Sequence, residues 1–187
     1  ERRVKKALVE ATSAPPGATI LDLGCGTGTM TVWLKQHYPN TRVIGLDADH
    51  NILAIARDKA AQAGIDVEFI EANAADIPLP AGSVQRVVSS LFFHHLLLDE
   101  KADVLEEIFR VLAPGGELHI SDWGKPSNPL MRVAFLFVQL LDGFSTTQDS
   151  VEGRLLGLVE AAGAQWVHDF DHYDTVLGTL RLLQATK

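Results

Sequence analysis

The chain has 187 residues, 47% of them hydrophobic and 21% charged, with one cysteine and a formal net charge of −8. That is the composition of one globular domain with a substantial core. A single cysteine excludes an internal disulfide framework and fits a reducing, cytoplasmic setting, while the acidic balance speaks against nucleic acid or an anionic membrane as the main partner.

The start, Glu1-Arg2-Arg3-Val4, carries no apolar h-region, so no signal peptide is expected. It also lacks a Met, as a trimmed chain would. Residues 2–12 place Val4, Leu8 and Val9 on one side of a helix that Pro15-Pro16-Gly17 ends. Ile20-Leu21-Asp22-Leu23 reads as a buried parallel strand that breaks into Gly24, Gly26 and Gly28. A helix follows, with Met30, Trp33, Leu34 and His37 at the spacing of one face, stopping near Tyr38-Pro39-Asn40. Arg42–Asp47 is a second strand ending on an acid, and Asp49 can cap the next helix. Ile52, Ile55, Ala56 and Ala63 form the apolar stripe of that helix, and Gly64 closes it.

Val67–Glu71 is a third strand, Asn73–Pro80 a loop, and Val84–Leu91 a fourth strand buried on both faces at Val87-Val88. A helix from near Asp99 turns Leu105, Ile108, Phe109 and Leu112 inward. Pro114-Gly115-Gly116 is a hard turn before a fifth strand, Glu117–Asp122. This alternation predicts βαβ units and a doubly wound α/β sheet of about seven strands, mostly parallel, with helices on both faces. Two helices are expected after strand five, the very apolar Leu130–Phe144 and then Val151–Ala162, separated by a loop at 145–149. The first is interrupted by Arg132 and Gln139 and is too short to span a bilayer. Residues 165–170 and 179–185 read as closing strands, the last antiparallel, with Asp171–Asp174 near their bend. The whole is one domain, made of a lead-in (1–18), a ligand-binding core (19–122), substrate-side helices (123–164) and closing strands (165–187).

In open parallel sheets a ligand sits beyond the carboxyl ends of the strands. Those ends deliver Gly24–Gly28, Asp47, Asn73-Ala74, Ser89–His95 and Asp122-Trp123. The dinucleotide fingerprint G-x-G-x-x-G would need glycine at position 29, where Thr29 stands. The chain has G-x-G-x-G instead, with Asp47 at the distance expected of an acid that accepts from ribose hydroxyls. A ribose-bearing ligand without a pyrophosphate fits this pattern, and Thr29 speaks against a nicotinamide-dependent oxidoreductase.

Leu21-Asp-Leu-Gly-Cys-Gly-Thr-Gly28 resembles the first motif of class I S-adenosylmethionine-dependent methyltransferases. Asp47, the Asn73–Pro80 loop with Gly82-Ser83-Val84, and Arg110–Leu118 resemble that family's later motifs, so the likeness runs from about residue 19 to 122. It implies a Rossmann-like fold, S-adenosylmethionine as cofactor and S-adenosylhomocysteine as product. It implies that Gly24 and Gly26 let the backbone meet the methionine half and that Asp22 orients the ammonium. Asp47 would take the ribose hydroxyls, with Cys25, Gly28, Ala48 and Ser90 in the same wall. Asn73 stands where the family usually has Asp to receive the adenine amino group; its side-chain carbonyl can still accept, and Ala74 would donate its N–H. Ile52 and Ile77 could sandwich the ring or simply fill the core.

His94 and His95 lie where the methyl acceptor is expected. One of them could serve as general base, or the pair could form a wall under the cofactor. Two adjacent histidines cannot both face one metal from a regular element, and no metal is expected. Asp122 and Trp123 either line the pocket or cap their loop. Cys25 reads as a packing residue inside the cofactor loop, and Ser90 carries no triad. The Asn/Asp-Pro-Pro-Tyr signature of amino-group methyltransferases is absent, which favours oxygen or carbon acceptors. The Leu130–Phe144 helix would cover an apolar small-molecule substrate; the alternative is burial in a homodimer interface. The expected activity is methyl transfer to such a molecule. The rival is a non-catalytic S-adenosylmethionine-binding protein on the same fold.

Overall fold

The protein is described from a computed structural model over residues 2–187, with residues 142 and 145 as backbone only; Glu1 lies outside the described residues. Helix α1 (Arg2–Thr12) leads into strand β1 (Thr19–Leu23), whose last four residues are buried. Then come α2 (Thr29–His37), β2 (Arg42–Asp47), α3 (His50–Gln62), β3 (Glu68–Glu71), β4 (Val84–Ser90), a 3-10 turn at Phe93–His95, α4 (Leu98–Val111) and β5 (Leu112–Trp123). Among the described residues, seven strands form one sheet in the order β3-β2-β1-β4-β5-β7-β6, where β6 is Trp166–Thr175 and β7 Gly178–Thr186. Strands β1 to β5 run parallel, and β7 is antiparallel to both its neighbours. This is the doubly wound sheet expected, with its last strand reversed.

Two apolar layers sandwich the sheet. Leu21, Leu23, Val87, Leu118 and Ile120 pack with Leu105, Ile108 and Phe109 of α4 on one face. Ile20, Val43 and Val88 pack with Leu8 of α1 and Met30 and Leu34 of α2 on the other. Val87 and Val88 are both fully buried because helices cover both faces. Asp49 caps α3 as expected, its Oδ1 accepting from the Asn51 and Ile52 amides at 2.8 and 3.2 Å.

The structure differs from the sequence reading in several places. In α2 the buried residues are Met30, Thr31, Val32 and Leu34, and His37 points to solvent. In α3 they are Leu53, Ala56 and Ala60; Ile55 is exposed, because small residues let this helix lie close to the sheet. Pro114-Gly115-Gly116 bulges out within β5, since Leu112 pairs with Val84 and Glu117 with Arg86. The segment after β5 holds α5 (Pro129–Asp142), α6 (Phe144–Glu152) and α7 (Arg154–Ala161), three helices where two were expected. The polar run at 145–149 is helical, and the break falls at Gly153, whose φ of +72° only glycine adopts freely. The bend between the closing strands lies at Val176-Leu177, where the Thr175 hydroxyl donates to the Gly178 carbonyl and accepts from the Leu177 amide. Asp171–Asp174 therefore sits inside β6, beyond a register shift between Asp169 and Asp171.

Candidate active site

The glycine turn is shaped by local sterics. Gly24, Gly26 and Gly28 have φ of +66°, +53° and +71°. A Cβ on Gly24 would drive into the Phe92 ring, whereas one on Gly26 would meet nothing within 4 Å, so that backbone faces open space. The turn is strapped to β2: the Cys25 amide donates to the Leu46 carbonyl at 2.9 Å, and the Gly26 amide to Asp47 Oδ2 at 2.8 Å. Asp47 Oδ1 accepts from the Asp49 amide at 3.1 Å. A carboxylate has about four acceptor positions, so Asp47 keeps capacity for two hydroxyls.

Two cavities meet at Gly24. The larger, about 420 Å³, is lined by Gly24, Asp47, Ala48, Asn73, Ala74 and Phe92, among others. The smaller, about 150 Å³, is lined by Lys5, Asp22, Gly24, Cys25, Gly26 and Ser90, with Thr27, Thr29, Met30 and Leu91. Of the sequence-selected residues, Gly28 stands outside both walls, against Ala56 and Phe69. Ile77 is buried in the core and Ile52 is not in the cavity wall; Leu96 is. Asn73 Oδ1 accepts from the Ala75 amide at 3.0 Å, which fixes the loop and leaves one lone pair for a donor in the cavity. Helix α4 holds the rest of that loop: Glu107 accepts from the Ile77 amide at 2.8 Å, and Arg110 donates to the Ile77 and Leu79 carbonyls at 2.7 and 2.9 Å.

Asp22 is 1% exposed and accepts from the Thr31 hydroxyl at 2.6 Å. Burial pushes its carboxyl up to about 6, against the opposing pull of Thr31 and Lys5. The folded acid holds its proton through a range where the unfolded acid has lost it. This group therefore withdraws stability from the ligand-free fold as pH rises from about 4 to 6. A cation bound beside Asp22 needs the carboxylate. Affinity for a cationic ligand in the smaller cavity is expected to fall about tenfold for each pH unit below about 6. Calorimetric titrations from pH 5 to 8 check this, and Asp22→Asn should flatten the profile. Burial also pushes the Cys25 thiol well up, which disfavours the thiolate.

The turn after β4 is held by Asp122. Its Oδ2 accepts from the Phe92 and Phe93 amides at 3.0 and 2.7 Å, and its Oδ1 faces His94 Nδ1 and the Trp123 amide, each at 2.7 Å. Leu91, just before this turn, has φ of +57°, a strained conformation for a bulky residue that the clamp sustains. His94 is buried in the clamp and His95 is exposed, their ring centroids 3.9 Å apart; neither lines the two cavities. Sequence reasoning missed Lys5, Phe92 and Leu96. Lys5 comes from a different helix, and the fit of Phe92 over Gly24 is visible only in three dimensions. Among the described residues no group of His, Cys, Asp and Glu could hold a metal ion.

Residues 20–116 match the family model of the methyltransferase domain. The chain belongs to this family, as a class I S-adenosylmethionine-dependent methyltransferase domain. It is 42% identical over 107 residues to a demethylmenaquinone methyltransferase of Thermus thermophilus, a match covering 57% of this chain and 48% of that protein. The chain thus spans about half the length of that curated relative. It is 28% identical over 204 residues to the ubiquinone/menaquinone biosynthesis C-methyltransferase UbiE of Syntrophotalea carbinolica, covering all of this chain and 84% of that one. Its fold is that of a SAM-dependent methyltransferase from Aquifex aeolicus, with a TM-score of 0.73, 23% identity, and 97% and 88% of the two chains covered.

The residues present fit S-adenosylmethionine. An open, positive-φ glycine backbone, an acid with spare acceptor capacity and a charged pocket lie around two cavities that share Gly24 in their walls.

Proposed function

We propose that this chain methylates a ring carbon of a small, apolar quinone-type molecule. The observation that carries this is the 42% identity, over 107 residues, to a demethylmenaquinone methyltransferase. In this reading Asp47 accepts from the ribose hydroxyls, and Asn73 and the Ala74 amide receive the adenine edge. Asp22 faces the methionyl ammonium, and Lys5, in the same wall, faces the carboxylate. When bound, S-adenosylmethionine supplies an electrophilic methyl group on a sulfonium.

The chain's own residues align the acceptor and keep it dry. Leu91 and Trp123 belong to one apolar cluster with Leu180, Phe170 and Tyr173, beside the smaller cavity. The Trp123 ring lies 5.6 Å from that of Phe135, centroid to centroid, under α5. A flat apolar ring stacks in such surroundings, and water is excluded from the transfer. His94 acts here through Asp122, as a positioning residue for the Phe92–His94 turn.

The direct test incubates the protein with S-adenosylmethionine and a demethylated naphthoquinol, with mass spectrometry reading the gain of one methyl on carbon. No product, with cofactor binding intact, would overturn the reading. Asp47→Ala should weaken cofactor binding by about 1–3 kcal/mol, the loss expected when a hydrogen-bonding partner in a closed site is removed. Calorimetry reads it directly, and unchanged affinity would mean that the ribose lies elsewhere.

A further inference from the structure

Helix α3 lies hard against the glycine turn. A Cβ on Gly28 would come within 2.8 Å of the Ala56 Cβ. Three residues further along α3, and so on the same side of the helix, Lys59 reaches back to the turn. Its ammonium donates to the Thr27 hydroxyl at 2.9 Å and to the Thr29 hydroxyl at 2.7 Å. Both threonines line the smaller cavity, whereas Lys59 is not in its wall.

An ammonium carries three N–H donors and no acceptor. Both threonine oxygens must therefore accept, and each hydroxyl proton is turned elsewhere. Among the described residues neither hydroxyl donates to a protein acceptor. A hydroxyl that accepts from a cation is also polarised into a stronger donor. Two further features favour an anion at the same place. Thr29 is the first residue of α2, and its N-cap Gly28 supplies no side-chain acceptor, so the positive end of that helix is left open. Lys5 lines the same cavity. Burial, and then the Lys5 ammonium, hold the Lys59 ammonium below the usual lysine range, so each cation lies within the other's field.

We propose that Lys59 is a positioning residue for the methyl donor: by occupying the oxygens of Thr27 and Thr29 it commits their hydroxyl protons to the smaller cavity, where they hold the methionyl carboxylate beside Lys5. The inference rests on the cofactor placement given above and not on the identity of the methyl acceptor. It also gives a task to Thr29, which stands where the dinucleotide fingerprint has glycine.

The experiment is calorimetric titration of the whole chain with S-adenosylmethionine and with decarboxylated S-adenosylmethionine. The two ligands differ only in the carboxylate, so both report the adenosine, sulfonium and ammonium contacts alike. The wild type should prefer S-adenosylmethionine. Lys59→Met keeps a long side chain and removes the donor. It should weaken S-adenosylmethionine about tenfold, the scale of one charge-assisted hydrogen bond, and leave the decarboxylated ligand unchanged. Lys59→Arg, still a cationic donor, should restore most of the preference. Thr27→Val/Thr29→Val should lower the preference as far as Lys59→Met does, and the triple variant should lower it no further. A loss shared equally by both ligands would mean that Lys59 only staples the turn, and overturns the proposal. A wild type that binds both ligands equally overturns the carboxylate placement and the proposal with it. Wild-type preference that survives in Lys59→Met refutes the proposal alone.

Discussion

Replacing Asp122 by Ala is expected to cost about 3–5 kcal/mol of stability, the scale seen when one partner of a buried polar pair is removed. The loss is large because one carboxylate serves the Phe92 and Phe93 amides, His94 and the Trp123 amide together. Each charge-assisted bond contributes about 1.5–3 kcal/mol, and these are not additive. Without the clamp the turn that follows the strained Leu91 backbone loses its anchors, so Phe92 should drift off Gly24. Methyl transfer should then fall about a hundredfold, the effect of an ångström-scale misplacement. Asp122→Asn keeps an acceptor for the Phe92 and Phe93 amides and should lose less than half as much. Denaturant unfolding and turnover, measured on both variants, check the order. Equal stability of Ala variant and wild type would show that the turn holds itself.

The second large effect is expected at Asp149. Lys101 of α4 is 1% exposed, and its ammonium donates to Asp149 Oδ2 and to the Thr146 carbonyl, both in α6. Asp149→Ala would leave that ammonium buried without its counter-charge, at a cost of about 3–5 kcal/mol. Among the described residues Asp149 Oδ1 meets no hydrogen-bond donor. The joint replacement Lys101→Met/Asp149→Leu should therefore recover most of the loss or exceed wild type, because burying apolar groups avoids both desolvation costs. A double-mutant cycle by chemical denaturation measures the coupling. A single-variant loss below about 1 kcal/mol would mean that water reaches the pair.

The cofactor half was legible because its signals are local. G-x-G-x-G after an apolar run, and an acid at the end of the next strand, occupy short stretches whose backbone chemistry has few alternatives. Asp49 and Gly64 marked the ends of α3 for the same reason. The rest of the cleft is made of distant encounters. Lys5 reaches the glycine turn from α1, Asp122 clamps residues thirty positions earlier in the chain, and Phe92 needs Gly24 beneath it. Polar content at 145–149 resembled a loop because the partner that makes it a helix, Lys101, lies on α4. The hydrophobicity of α5 was plain, but not its direction: composition cannot say that Arg132 and Gln139 face inward while leucines face out.

Strand β6 has a consequence for how this protein meets its own copies. It is an open edge of the sheet, ten residues long, and a bare edge of that length invites strand addition by another chain. The register shift between Asp169 and Asp171 interrupts its hydrogen-bond ladder, and Asp169, Asp171 and Asp174 put negative charge along it. At the opposite edge β3 is four residues long and begins and ends on Glu. Charge, shortness and a broken ladder at the two margins all discourage strand addition, so the protein can display greasy side chains on a helix without offering a ready template for fibrils.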